Sequence, residues 1–172
     1  MSIQELTDRE KRFQALCNRA SRHVSHAIET LLEDDISKRV SLYLIVANPF
    51  FHSSSIDKNE WERQNGVIFK KPFGHGSDKY SEIATSKGFM GWQHRQPSQV
   101  IQEQMSFLVG PGDTQYWGSE YRYGLTVASS GNFPILDTLC SSWFLDTIRC
   151  LSIHERNLAI EGDGVKGGFF VW

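Results

Sequence analysis

Apolar side chains recur at three- and four-residue steps near the start of the chain, which predicts a long N-terminal helix. Thr7 and Glu10 form a T-x-x-E capping box, in which each side chain can satisfy the other residue's free backbone amide. The apolar stripe behind this box consists of Phe13, Leu16, Cys17, Ala20, Val24, Ala27, Ile28 and Leu31. We therefore expect a helix over residues 7–33 with one face docked against a sheet or another helix.

Two short runs after this helix have the composition of β-strands. Residues 40–47, VSLYLIVA, are β-branched or aromatic and mostly apolar on both faces, which predicts an interior strand. Residues 66–71, GVIFKK, predict a second strand and a hairpin partner for the first. The polar stretch between them, residues 48–66, is longer than most connections in compact domains, so we interpret it as a loop with a candidate functional role.

Two helices are predicted in the middle of the chain. Ser77 or Asp78 can cap a helix in which Tyr80, Ile83, Ala84 and Lys87 share a face. Pro97 suits the first turn of a second helix, which the glycines and proline of residues 110–112 end.

The last third of the chain combines a strand pattern with a third long helix. Residues 120–129 alternate two kinds of side chain with period two, which predicts one strand with one covered face. Pro134 then begins a helix with the stripe Leu136, Leu139, Cys140, Trp143, Phe144, Ile148 and Leu151, and the chain ends in a β-prone run, GGFFVW. Because no repeat or linker appears, residues 1–172 are expected to form one layered α+β domain, with a central antiparallel sheet packed by long amphipathic helices.

Composition and charge exclude several classes of protein. The chain is 40% hydrophobic and 22% charged, with a formal net charge of −2, so it has no basic footprint for nucleic acid or an anionic membrane. Its longest apolar run is far shorter than the ~20 residues of a membrane helix, and its first residues lack the apolar core of a signal peptide, so we expect a cytoplasmic protein. Three cysteines without a C-x-x-C pair predict buried free thiols.

His75 and His94 stand at either end of a predicted helix, an arrangement that raises the question of a shared metal or haem site. At 1.5 Å per residue, about 19 residues would separate the imidazoles by nearly 30 Å in a continuous helix, or by about 20 Å if the helix stops near Gly88. One shared ion would need the chain to fold back at Gly88 or Gly91, or a second subunit to contribute its own histidine.

His75 alone remains a candidate axial ligand. It follows a strand, lies between two glycines that leave room, and precedes a helix N-terminus that favours its neutral, ligating form. The alternative is an exposed or turn-bound histidine.

The segment before Pro97 combines aromatic and cationic residues. Phe89, Met90 and Trp92, with adjacent glycines, could wall a flat apolar cavity, and Lys87 and Arg95 could pair with ligand carboxylates such as haem propionates. The alternative is that the aromatic residues are core and the cations lie on the surface.

Other motif matches have simpler interpretations. Residues 162–167, GDGVKG, fit G-x-G-x-x-G, but only five residues follow, so no helix is available to hold a pyrophosphate, and we interpret the stretch as a glycine-rich turn. The remaining histidines have no liganding neighbour at a diagnostic spacing; these are His23, His26, His52 and His154.

The order of these segments also matches a known pattern. A helix is followed by VSLYLIVA, GVIFK, SEIATSKGFMGWQHRQPSQ and YRYGLTVASSGNFPILDTLCSSWFLD, which resembles the GlcG/HbpS group of proteins, including the C-terminal domain of PduO. Ala84, Lys87 and Ser98 stand in the group's middle motif, and Leu125, Val127, Ser130, Gly131 and Asp137 stand in its last. The resemblance implies a layered fold with a central antiparallel sheet, assembly into dimers or larger oligomers, and haem or another small cofactor in some members.

These observations lead to one functional hypothesis, a cytoplasmic homo-oligomer that binds a small molecule, haem first. If the protein is an enzyme, haem would carry the difficult chemistry, as in a haem-dependent oxidative or haem-degrading enzyme. The metal ligand would be His75, and the candidate cofactor-binding residues are His75, Lys87, His94 and Arg95.

Two alternatives belong to other classes. One is a cofactor-free sensor or interaction module of PAS, GAF or profilin-like architecture. The other is a hydrolase or lyase that uses His75 with Asp78 or Glu82 as a general acid–base pair.

Overall fold

A capping box starts the first helix, as the sequence predicts. The Thr7 hydroxyl accepts from the Glu10 backbone amide, and the Glu10 carboxylate accepts from the Thr7 amide. Helix α1 spans Asp8–Glu33 and buries one stripe of side chains. This is a computed structural model, and it describes residues 5–34, 39–53, 55–110 and 113–161.

The centre of the fold is a four-stranded antiparallel sheet. Its strands are β1 (Leu42–Ala47), β2 (Val67–Phe73), β3 (Ser119–Arg122) and β4 (Leu125–Ser130), in the order β2-β1-β4-β3. The predicted interior position of β1 and its hairpin pairing with β2 are therefore confirmed.

The helices cover both faces of this sheet. Helix α3 (Ser81–His94), which follows a 3₁₀ turn at Ser77–Tyr80, packs on one face, and α1 and α5 (Pro134–Glu161) pack on the other. A short α4 (Ser98–Gln104) follows Pro97. The predicted α+β architecture with a central antiparallel sheet and long helices is confirmed.

The apolar side chains of β1 are divided between two cores. Leu42, Leu44 and Val46 point to the core shared with α1 and α5, whereas Ile45 and Ala47 point to the core beneath α3. This is why β1 is apolar on both faces. No helix in the described part of the chain is both long and apolar enough to cross a membrane.

Two sequence predictions are wrong, one of a loop and one of a single strand. The stretch 48–66 is not all loop, because it contains helix α2 (Lys58–Arg63), which the Asp57 side chain caps and whose Trp61 is fully buried. Residues 120–129 are not one strand, because the chain reverses at Tyr123 and Gly124, which have φ values of 57° and 76°. A tyrosine in that turn gives no sequence signal; the Arg149 guanidinium lies 3.9 Å from its ring centroid.

Two of the three cysteines agree with the prediction of buried free thiols. Cys17 and Cys140 are buried, and burial raises the pKa of both thiols. Cys150 is free but exposed. The predictions for residues 162–167 and for the GGFFVW run lie outside the described residues.

Gly88 lets α3 lie unusually close to β1. A β-carbon at Gly88 would fall 2.3 Å from Ile45 Cδ1, which is well inside contact distance. The glycine therefore sets the spacing between the helix and the sheet, and α3 continues through it to His94.

We expect Gly88→Ala to lower the free energy of unfolding by about 1–3 kcal/mol, because the added methyl group overpacks this contact. The second substitution Ile45→Val removes Cδ1, so Gly88→Ala should cost less in an Ile45→Val background than in the wild type. Urea denaturation of the four proteins of this cycle measures the coupling. If the effects of the two substitutions on the free energy of unfolding are strictly additive, Ile45 does not limit how closely α3 packs on β1.

Candidate functional site

Lys87 is buried on the inner side of α3. Its side chain is 2% exposed, and its Nζ donates to Asp137 Oδ2 at 2.8 Å and to the Ser129 carbonyl oxygen at 3.0 Å. The apolar neighbours of Lys87 along α3 allow a long side chain to cross the core, but an ammonium group there needs a partner. The partner comes from the first turn of α5.

Asp137 is held in place by the turn between β4 and α5. Its Oδ1 accepts from the Asn132 backbone amide at 3.0 Å, and the Ser129 hydroxyl donates to its backbone carbonyl at 2.7 Å. Pro134 begins the helix and places Asp137 one turn inside it. The carboxylate is therefore oriented by backbone contacts as well as by Lys87.

Gly118 completes the wall of this network. A β-carbon there would fall 2.7 Å from Asp137 Cβ and 2.9 Å from Lys87 Nζ, and its φ of 146° is unfavourable for other residues. Its carbonyl accepts from the Ser141 hydroxyl at 2.7 Å, and its amide donates to Ser98 Oγ at 2.9 Å. Both backbone groups of Gly118 are thus hydrogen-bonded beside the ion pair.

Burial shifts both members of the pair toward their neutral forms. Removal from water raises the pKa of Asp137 to about 6, and the Lys87 ammonium opposes this effect. Burial likewise lowers the pKa of Lys87, and the Asp137 carboxylate opposes it. Such a pair could exchange a proton, but its surroundings are closed.

Lys87 is therefore not placed as the sequence hypothesis requires. A propionate partner must reach a ligand at the surface, whereas the Lys87 ammonium is enclosed and already paired with Asp137. Sequence analysis named both residues, in separate motifs of the GlcG/HbpS resemblance, but spacing alone did not predict that they meet.

His75 and His94 are not brought together. His75 is exposed in the turn Gly74–Gly76, before α3, and His94 is the last residue of α3, which continues unbroken through Gly88 and Gly91. The two ends of α3 are about 20 Å apart, with His75 before its first residue and His94 at its last. The fold-back that a shared site within one chain would need does not occur.

His94 faces an acidic residue instead. Its Nε2 lies 3.7 Å from Asp113 Oδ2, and the two side chains are 13% and 4% exposed. That separation is too long for a hydrogen bond. Within the described residues, no group of three or more His, Cys, Asp or Glu side chains is arranged to hold a metal ion.

Arg95 lies at a cleft of about 420 Å³ between the β1–α2 connection and the end of α3. A left-handed backbone conformation at Arg95, with φ of 54°, ends the helix there. The cleft is lined by Phe51, His52, Ser53, Trp92, Gln93 and Arg95. Its volume is within the range of small-molecule sites.

Two aromatic residues, Phe51 and Trp92, line this cleft, and further aromatic rings pack against Trp92. Trp92 lies 5.7 Å from Phe51, 5.6 Å from Trp61 and 6.0 Å from Phe89, measured between ring centroids. Trp61 is buried, Phe89 is 3% exposed, and Trp92 is half-buried at the surface. Both sequence interpretations of this segment are thus partly right: Phe89 and Met90 are core, whereas Trp92 lines a cavity.

Sequence analysis singled out Trp92 and Arg95 but missed Phe51, His52 and Ser53. The unusual length of the stretch 48–66 was the one available signal. It could not show that residues 51–53 cross the end of α3.

We expect Lys87→Met to lower the free energy of unfolding by about 3–5 kcal/mol, because it leaves the Asp137 carboxylate buried without its counter-charge. Adding Asp137→Asn should restore part of this loss. Chemical denaturation measures both effects, with the exposed Lys79→Met as a matched control. A Lys87→Met protein as stable as the control would contradict a strongly coupled pair.

The carboxyl carbon of Asp137 should titrate with a midpoint near pH 6 in the folded protein. Because this pKa lies above the ordinary 3.8, the folded chain takes up a proton before the unfolded chain does as the pH falls. As the pH falls from about 7 to about 4, the contribution of Asp137 to the free energy of unfolding should therefore increase. Carbon-detected NMR measures the midpoint, and a value below 3.8 would reverse the sign.

Comparisons of the chain with models of protein families, with curated proteins and with solved structures find no match.

Proposed function

We propose that the protein binds a small, flat, acidic molecule in the cleft between Phe51 and Arg95, and that haem is the first ligand to test. The aromatic wall at Trp92 is the single observation that carries this proposal. A half-buried indole, supported from behind by Trp61 and Phe89, offers a rigid apolar surface to a planar ring.

The rim of the cleft adds polar groups of the kind such a ligand needs. Arg95 is exposed there, and its guanidinium can pair with a carboxylate through two hydrogen bonds. His52 is on the opposite side, in the β1–α2 connection, and an imidazole can ligate haem iron. Arg95 thus keeps the role that the sequence hypothesis gives it, and His52 replaces His75 as the proposed axial ligand.

The other predicted ligand residues support this site less well. Lys87 is enclosed by its ion pair, His94 faces Asp113, and His75 is in an exposed turn at the other end of α3. The fit of haem to the chain therefore rests on the side chains at the C-terminal end of α3 and in the β1–α2 connection.

Titration of the purified protein with haemin, followed in the Soret region, tests the proposal. We expect a saturable band with one haemin per chain. His52→Ala should shift or abolish the band by removing the ligand, and Trp92→Ala and Arg95→Ala should each weaken binding by about tenfold or more.

His75→Ala is the matched control, because it removes an exposed histidine outside the cleft and should leave the titration unchanged. A band that His75→Ala abolishes, or one that none of the three cleft substitutions changes, would place the ligand elsewhere. The absence of any saturable band would overturn haem as the ligand.

A further inference from the structure

A second concave surface lies on the opposite side of the sheet, between α1 and α5. This groove has a volume of about 570 Å³, and its lining includes Val24 and Ala27 from α1 and Trp143 and Leu151 from α5. It shares no lining residue with the Phe51–Arg95 cleft. Its mostly apolar surface favours a protein partner over a charged ligand.

Three residues of α5 form a row along this groove. Asp146, Cys150 and His154 are four residues apart, so they follow one ridge of the helix. Cys150 is exposed at the centre of the row, with an acidic side chain one turn before it and an imidazole one turn after it. The ends of the row are about 12 Å apart along the helix axis.

This row is complementary to itself when it is reversed. If a second α5 packs antiparallel and the two cross at Cys150, Asp146 of each helix comes opposite His154 of the other. Ridges of residues four apart pack together in the commonest class of helix crossing. The crossing would thus form the same carboxylate–imidazole contact twice, as a two-fold symmetric interface requires.

We propose that the α1–α5 groove is a homodimer interface in which two copies of α5 cross antiparallel at Cys150. Exposed apolar side chains flank the row on the same helix, with Ile153 37% and Leu158 54% exposed, and a second copy would remove them from water. Asp146 also pairs with Arg122 at 3.1 Å, but its side chain remains 50% exposed and can accept from a second donor. The proposal is independent of the ligand cleft.

Sedimentation equilibrium of the full chain over a range of concentrations tests the interface. The wild type should be a dimer. Asp146→His should raise the dimer dissociation constant by about tenfold or more, and His154→Asp should do the same, because each places like groups opposite one another. The double variant Asp146→His with His154→Asp should restore dimerisation. It still lacks the Asp146–Arg122 contact, so restored dimerisation would show that loss of this contact does not explain the effect of Asp146→His.

Two further variants separate the interface from general effects. Cys150→Arg should give a monomer, because it places a bulky charge where the two helices cross; the monomer should be folded, because Cys150 is exposed. Glu29→Lys changes an exposed residue of α1 outside the groove and should leave the dimer intact. A wild type that stays monomeric, or a dimer that neither Cys150→Arg nor the single swaps weaken, would overturn the proposal. A third outcome would also overturn the proposal: a monomer in which the Cys150 thiol reacts with a labelling reagent only after residues 162–172 are deleted. That result would assign the groove to this segment.

Discussion

The buried Lys87–Asp137 ion pair is the contact on which the arrangement of the helices depends. It joins α3, on one face of the sheet, to the first turn of α5, which covers the other face, around the end of β4. Opposite charges in the low-dielectric interior of a protein interact strongly and are costly to separate, so small displacements of either helix are disfavoured. The pair thus adds a directional contact to the apolar packing, in which Gly88 sets the spacing of α3 against the sheet.

Both candidate surfaces include residues at the end of a helix, or on a helix, that this pair joins. Two turns beyond Lys87, α3 ends with Trp92 and Arg95 at the cleft. On α5, the groove residues follow Asp137 within a few turns. A single buried contact thus links the helices that carry two surfaces on opposite sides of the sheet, although no residue lines both.

Much of the fold could be predicted from the sequence because its local signals agree with its packing. The Thr7–Glu10 capping box, the stripe on α1 and the two-sided strand β1 each specify a structure on their own. The errors occur where tertiary contacts override local pattern. Tyr123 reverses the chain at a position where alternation continues, and Trp61 stabilises a helix inside a polar stretch by filling the core beneath α3.

The candidate site was less predictable, because its parts lie far apart in sequence. The sequence predicts that Lys87 can contact a ligand, but in the structure its ammonium group is paired with Asp137, fifty residues later in the chain. The cleft depends on residues 51–53 meeting the end of α3, and no spacing rule brings a loop to a helix terminus. The resemblance to the GlcG/HbpS group remains a prediction, because the comparisons with known proteins find no match.

The order of the strands also has a consequence for how the chain folds. Each outer strand pairs with a sequence neighbour, but the two central strands pair Tyr43 with Ser130, across about half of the chain. Closing so long a loop is entropically costly and is characteristic of slow folding. We therefore expect the β3–β4 hairpin and the long helices to form before the β1–β4 pairing that completes the sheet. The Lys87–Asp137 pair joins segments on either side of that pairing, so we expect its charges to leave water only when the two central strands meet.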